Sequence, residues 1–252
     1  MVSFTEVPNP VKPNDIYYFV PNLIGFSRVI TLVLSYFTMK NYPFITMGCL
    51  YNASCLLDAF DGYYARKFGQ STQFGAVLDM VTDRCSTCSL IVFLTVLYPE
   101  YFIAWQALIS LDLASHYVHM YAQIVSGSSS HKKMKKDTNW LLRLYYENRI
   151  FLFFVCAFNE IFYVALYLSY FDVLYIPGTN VHLAYWLAVL STPVWGFKQI
   201  CNVIQLVNAC NILTDLDAKR INEERKKNWV KGPIHHRYRL YFPSLGWHKK
   251  EI

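Results

Sequence analysis

Six stretches of about 20 mostly apolar residues, the length that crosses a bilayer as a helix, alternate with short polar segments along the chain. They run roughly over 17–39, 43–67, 72–98, 101–126, 149–172 and 183–212. Tyr42-Pro43, Tyr98-Pro99 and Ile176-Pro177-Gly178 punctuate three of the connections, and Gly69-Gln70-Ser71 a fourth. A long polar insert, SGSSSHKKMKKDTNWLLRLYYENR, separates the fourth and fifth stretches. The pattern predicts an all-α integral membrane protein of six transmembrane helices. Residues 1–16 form a short leading segment of the membrane domain 1–212, and 213–252 a basic tail.

Charge orients the set. Of 23 Lys and Arg, Lys12 precedes the first stretch, Arg66 and Lys67 close the second, five lie in the long insert with Arg149 at its edge, and ten follow residue 212. With six spans these all fall on one side, which the positive-inside rule makes cytosolic. Both termini then face the cytosol. The chain closes on Lys249-Lys250-Glu251-Ile252. This resembles the dilysine retrieval signal of endoplasmic-reticulum membrane proteins, which has to be cytosolic.

Composition agrees with the spans. Hydrophobic residues make up 54% of the 252-residue chain and charged residues 16%, against about 25% charged in a typical soluble domain. Mean hydropathy is +0.22. The net charge of +6 sits in hydrophilic connections, which suits an anionic lipid surface and argues against nucleic acid as partner. Seven cysteines, mostly inside apolar runs, imply no disulfide framework and are expected to be buried small hydrophobes. The N-terminus has neither a basic n-region nor an uninterrupted apolar core of a removable signal peptide.

Against this background LLDAFDGYYARKFGQSTQFGAVLDMVTDR, residues 56–84, carries four aspartates. Asp58 and Asp61 are three residues apart and Asp79 and Asp83 four apart, so each pair shares a helix face. In an antiparallel hairpin turning near Gln70 the pairs meet at matched depth, about 12–18 Å from the turn. Each acid at mid-membrane costs about 2.5–3.5 kcal/mol, so something cationic has to offset four. Oxygen-only ligation suits Mg²⁺ or Mn²⁺, and two such ions can clamp a diphosphate. Gly62, Ala65 and Gly75 leave room beside the acids for a ligand, or for tight helix packing. Arg66, near the cytosolic mouth, can pair with a phosphate.

The pattern Asp58-x2-Asp61-Gly62-x2-Ala65-Arg66-x8-Gly75-x3-Asp79-x3-Asp83 resembles the signature of the CDP-alcohol phosphotransferase family at every position. FVPNLIGFSR (19–28), LDMVTDRCST (78–87) and SLDLASHYVH (110–119) extend the resemblance, most closely to members whose acceptor is myo-inositol. The resemblance implies transfer of a phosphatidyl group from CDP-diacylglycerol to myo-inositol, with release of CMP, in a cavity near the cytosolic face. It further implies two divalent ions on Asp58, Asp61, Asp79 and Asp83, with Asp83 also the general base. Gly62, Ala65, Arg66, Gly75, Asn22 and Arg28 would bind CDP-diacylglycerol, Arg149 would contact inositol, and the protein would be a homodimer. The sequence departs from the family pattern at Ile150, where proline follows the equivalent arginine; the helix start there loses that punctuation.

Other readings carry less. Intramembrane acids also serve ion or proton transporters, but those distribute acids over several, often broken, helices. The signature itself does not separate inositol from glycerol-3-phosphate or serine as acceptor. Asp112, His116 and His119 lack a third ligand set and read as a polar inter-helix or dimer contact. Lys198 either reaches the cavity or snorkels. Asn52-Ala53-Ser54 is a glycosylation sequon inside a span, so it is not expected to be used.

Overall fold

The computed structural model describes residues 10–126, 148–176 and 182–230. The described residues are helical, with one isolated bridge between Tyr175 and His182. A short α1 (Pro13–Tyr17) leads into α2 (Val20–Thr38). The next rod begins at Pro43–Ile45, widens into a π-turn over Thr46–Tyr51 and continues as α3 (Asn52–Lys67). Then come α4 (Gln73–Leu97), α5 (Phe102–Val125), α6 (Arg149–Tyr170) and α7 (Leu183–Val230).

Polarity is distributed as a lipid solvent requires. Phe37, Ile103, Val96, Leu190 and Ile150 stand exposed, whereas Asn22, Arg28, Asp61, Asp112, Asn159, Lys198 and Asn202 are buried. A soluble monomer rarely exposes so much contiguous apolar surface. In lipid, the polar groups are the ones that must find partners inside. The thiols follow the same inversion. The seven cysteines are free, and only Cys201 is buried; the expectation of buried cysteines fails because the outer face is itself apolar.

Helices Val20–Thr38, Gln73–Leu97 and Ile150–Tyr170 are long and apolar enough to cross a membrane. The other three expected spans exist as helices at the predicted places but are more polar. Asp58, Asp61, Arg66 and Lys67 dilute α3, and Gln106, Asp112, His116 and His119 dilute α5. Helix α7 does not stop where the composition changes at 212; it continues to Val230, with Pro193 inside it. The helix start without proline at 150 is made by Asn148, whose side chain accepts from the backbone N–H of Ile150 and Phe151 at 3.0 and 3.1 Å. That cap satisfies donors an uncapped helix would leave open.

The α3–α4 turn is closely specified. Gln70 N–H donates to Ala65 O at 2.9 Å and Gly69 N–H to Arg66 O at 3.4 Å, a Schellman closure. Gly69 sits at φ +63°, a conformation that favours glycine. Thr72 then caps α4, its hydroxyl accepting from Gly75 N–H at 3.0 Å. Gln70 Oε1 accepts from Val20 N–H at 3.1 Å, which fixes the turn against the start of α2. At the far end of these helices an apolar core gathers Met39, Met47, Tyr51, Leu90, Leu94, Trp105 and Tyr167. Tyr167 Oη donates to Met39 O at 2.6 Å there, closing the end of α2. Thus the turn end is polar and the opposite end packed, and the acids lie between.

Candidate active site

The i, i+3 and i, i+4 spacings bring all four aspartates to one place. Their meeting point is Arg28 of α2, whose side chain is 2% exposed. Its Nη1 lies 2.8 Å from Asp58 Oδ1, 2.8 Å from Asp61 Oδ2 and 2.5 Å from Asp79 Oδ1. Its Nη2 pairs with Asp83 Oδ1. A planar guanidinium can serve several carboxylates at once because its donors fan out in one plane. The cation that the intramembrane acids demand is therefore partly built into the chain.

Asp58, Asp61 and Asp79 each offer a carboxylate oxygen within 4.8 Å of the other two. A hard ion with bonds of about 2.0–2.6 Å reaches across such a gap, in competition with Arg28 Nη1, which lies 2.5–2.8 Å from the same three acids. The oxygen-only donor set fits Mg²⁺ or Mn²⁺ rather than a thiophilic metal. Asp83 joins this group through Arg28 but stands outside the trio, 3.9 Å from Arg84 on its other side.

A cavity of about 150 Å³ opens beside the trio, lined among others by Asn22, Asp61, Gly62, Ala65, Gly75 and Asp79. Six of the residues singled out in the sequence thus share one recess. The glycine at 75 is needed for space. A Cβ there would come within 2.7 Å of Asn22 Oδ1 and 3.1 Å of Thr72 Oγ1. Asn22 Nδ2 donates to Ile16 O at 2.6 Å, while its Oδ1 is buried and has no protein partner. A buried unpaired acceptor is costly, so this oxygen is poised for a ligand's donor. Arg28 and Arg66 do not line the recess. Arg66 is exposed, one turn above Gly62, where a Cβ would lie 3.4 Å from its Nη1. Arg149 opens α6, but its side chain lies outside the described residues, as do the basic run at 132–136 and Lys249-Lys250.

A second polar cluster lies next to the acids, and the sequence pointed to only part of it, Asp112 and His116. Arg84 Nη1 reaches both oxygens of Asp112 at 2.8 and 3.0 Å, with His116 Nδ1 3.5 Å from the same carboxylate. The Arg84–Asp112 pair is the inter-helix contact expected of this group, whereas His116 Nδ1 bonds Asp112 O at 2.8 Å and His119 Nε2 bonds Gln123 Nε2 at 2.6 Å, both within α5. Lys198 neither snorkels nor enters the recess; it is buried and donates to Asn202 Oδ1 at 2.6 Å. Glu160 of α6 accepts from Tyr51 Oη and from Thr87 Oγ1, both at 2.8 Å. A lone glutamate in an otherwise apolar span was the available signal, since an intramembrane ionisable group is a functional candidate by default.

Together the inverted polarity, the converging acids and the small recess define a class: a helical membrane protein with a carboxylate site suited to divalent cations. The chain belongs to the CDP-alcohol phosphatidyltransferase family, which it matches over residues 18–194. It is similar to proteins named CDP-diacylglycerol–inositol 3-phosphatidyltransferase from several kingdoms. The one from Candida albicans is 55% identical over 82% of this chain and 87% of the relative. That from Saccharomyces cerevisiae is 46% identical over 89% and 99%, and that from Homo sapiens 42% over 81% and 95%. No solved structure matches the chain.

Proposed function

We propose that the chain transfers the phosphatidyl group of CDP-diacylglycerol to myo-inositol, giving phosphatidylinositol and CMP. The observation that carries this reading is the convergence of the four signature acids beside a recess lined by the signature's small residues. The inositol assignment is supported by the names of the relatives, which cover most of both chains.

Asp58, Asp61, Asp79 and Asp83 are the residues that would hold two Mg²⁺ or Mn²⁺ ions. Bound there, the metal supplies charge neutralisation at the diphosphate of the donor. Asn22, Gly62, Ala65 and Gly75 form the nucleotide recess, with Arg66 at its mouth for phosphate and Arg28 as the counter-charge among the four acids. Asp83 accepts the proton of the inositol hydroxyl as its oxygen attacks the phosphorus that carries diacylglycerol. The bond from that phosphorus to the CMP oxygen breaks, and CMP leaves with the electron pair. Arg149 is the proposed inositol contact at the start of α6.

The site's place in the bilayer follows from six spans with both termini cytosolic, which set the recess near the cytosolic face. A water-soluble polyol and nucleotide then meet a lipid whose acyl chains never leave the membrane. The endoplasmic-reticulum membrane is the proposed location, supported by the terminal lysine pair, and a homodimer is the proposed assembly. The basic segment 213–252 forms the cytosolic tail, its first part continuing α7.

Purified protein given CDP-diacylglycerol, Mn²⁺ and one alcohol at a time should release CMP with myo-inositol. Release with glycerol-3-phosphate or serine and none with inositol would reassign the acceptor. Gly75→Ala should weaken CMP binding by about 1–3 kcal/mol through overpacking against Asn22, measured by titration calorimetry. Unchanged affinity would place the nucleotide elsewhere.

A further inference from the structure

We infer that the side of Asp83 turned towards α5 and α6 is the acceptor subsite, where Glu160 and the neutralised Arg84–Asp112 pair select an uncharged polyol over a phosphorylated alcohol. This rests on the transferase reading above and specifies which residues choose its acceptor.

Direction comes first. Phosphoryl-type displacement places attacking and leaving oxygens roughly in line. The recess assigned to the nucleotide lies among α2, α3 and the start of α4, and it includes Asp61 and Asp79 but not Asp83. The attacking hydroxyl must therefore come from the side away from that recess. On α4 this side begins with Asp83 and Arg84 and continues, one turn on, to Thr87.

The groups found there suit hydroxyls. Thr87 Oγ1 lies 3.2 Å from the backbone carbonyl of Asp83 and donates to Glu160 Oε1 at 2.8 Å, so Glu160 packs against the turn of α4 that follows the base. Glu160 also accepts from Tyr51 Oη at 2.8 Å and from Asn159 Nδ2 at 3.3 Å. An ionised carboxylate has about four acceptor positions; three are used, all by neutral donors. Among the described residues no ion pair reaches Glu160. Like Asp83, it is only partly covered. Arg84 contributes the complementary donor, because its Nε is buried and has no partner.

Charge decides between acceptors. A phosphomonoester brings about −1.5 to −2 charges and calls for an uncommitted, forked cation. Arg84 Nη1 lies between both oxygens of Asp112, which balances its charge and leaves only single N–H donors for a ligand, and Glu160 adds a negative charge close by. Lys198, the other buried cation near this pair, donates to Asn202 Oδ1 at 2.6 Å, so the flank favours the hydroxyls of a neutral alcohol over a phosphorylated one.

The test uses full-length protein with CDP-diacylglycerol and Mn²⁺. Glu160→Gln keeps the shape and removes the charge; it should raise KM for myo-inositol about tenfold or more with CMP affinity within twofold. A merely structural role would instead lower the unfolding temperature and weaken CMP binding as well, and that result overturns the inference. Asp112→Asn releases Arg84 and should let myo-inositol 1-phosphate inhibit competitively at concentrations at least tenfold lower than in the unmodified protein. Unchanged inhibition overturns the charge argument, even if Glu160→Gln fails to fold. Absence of CMP release with inositol in the unmodified protein is a separate outcome, because it overturns the functional reading before any variant is compared.

Discussion

Asp83→Asn is expected to lower turnover with inositol by about 10²–10⁴-fold, the range for loss of a general base. CMP affinity should fall much less than in Asp58→Asn. The geometry separates the two acids. Asp58 belongs to the oxygen trio with Asp61 and Asp79, whereas Asp83 lies outside it, held by Arg28 on one side and 3.9 Å from Arg84 on the other. An acid at the edge of the cation site can exchange a proton with an incoming hydroxyl while its neighbours stay ligated. Steady-state kinetics and equilibrium CMP binding on both variants read the difference. Equal loss of nucleotide affinity in the two would remove the separate role for Asp83.

The second large effect belongs to Arg28. Arg28→Ala should destabilise the protein by about 2–3 kcal/mol in EDTA. Breaking a fully buried ion pair costs about 3–5 kcal/mol, and three of the four acids retain 36–44% exposure, which lowers that figure. Millimolar Mn²⁺ should restore most of the loss, since a divalent ion can replace the missing positive charge. Arg28→Lys should fall between, because an ammonium is a point charge and cannot fork to four carboxylates. Thermal unfolding in detergent, with and without Mn²⁺, is the measurement. A deficit of the same size in both conditions would mean that Arg28 packs the helices and does not counter the acids.

How much of this could be read in advance depended on range along the chain. Spans appeared as apolar runs, and the four acids declared their shared face through three- and four-residue spacing. The turn announced itself in Gly69-Gln70-Ser71. Those are local signals. Arg28 pairs with acids 30 to 55 positions away, and Glu160 bonds Tyr51 across 109; no periodicity encodes such partners. Arg28 therefore entered only as a nucleotide contact implied by resemblance, and Glu160 was passed over in a helix that looked uniformly oily. The limit at 212 was a change of composition, which the backbone of α7 does not register. The cysteines misled for a different reason: rules about burial written for water reverse in lipid.

The π-turn at Thr46–Tyr51 gives chain length a meaning of its own. A π-turn is an α-turn into which one residue has been inserted, and one residue rotates everything beyond it by about 100°. At its first residue, Thr46 Oγ1 is anchored to Thr38 Oγ1 at 2.8 Å; beyond it, Asp58 and Asp61 face Arg28. Excising a single position from this segment would leave every signature side chain in the polypeptide yet swing that acidic pair around the rod, away from Arg28. The chemistry is thus spelled in counting as well as in lettering.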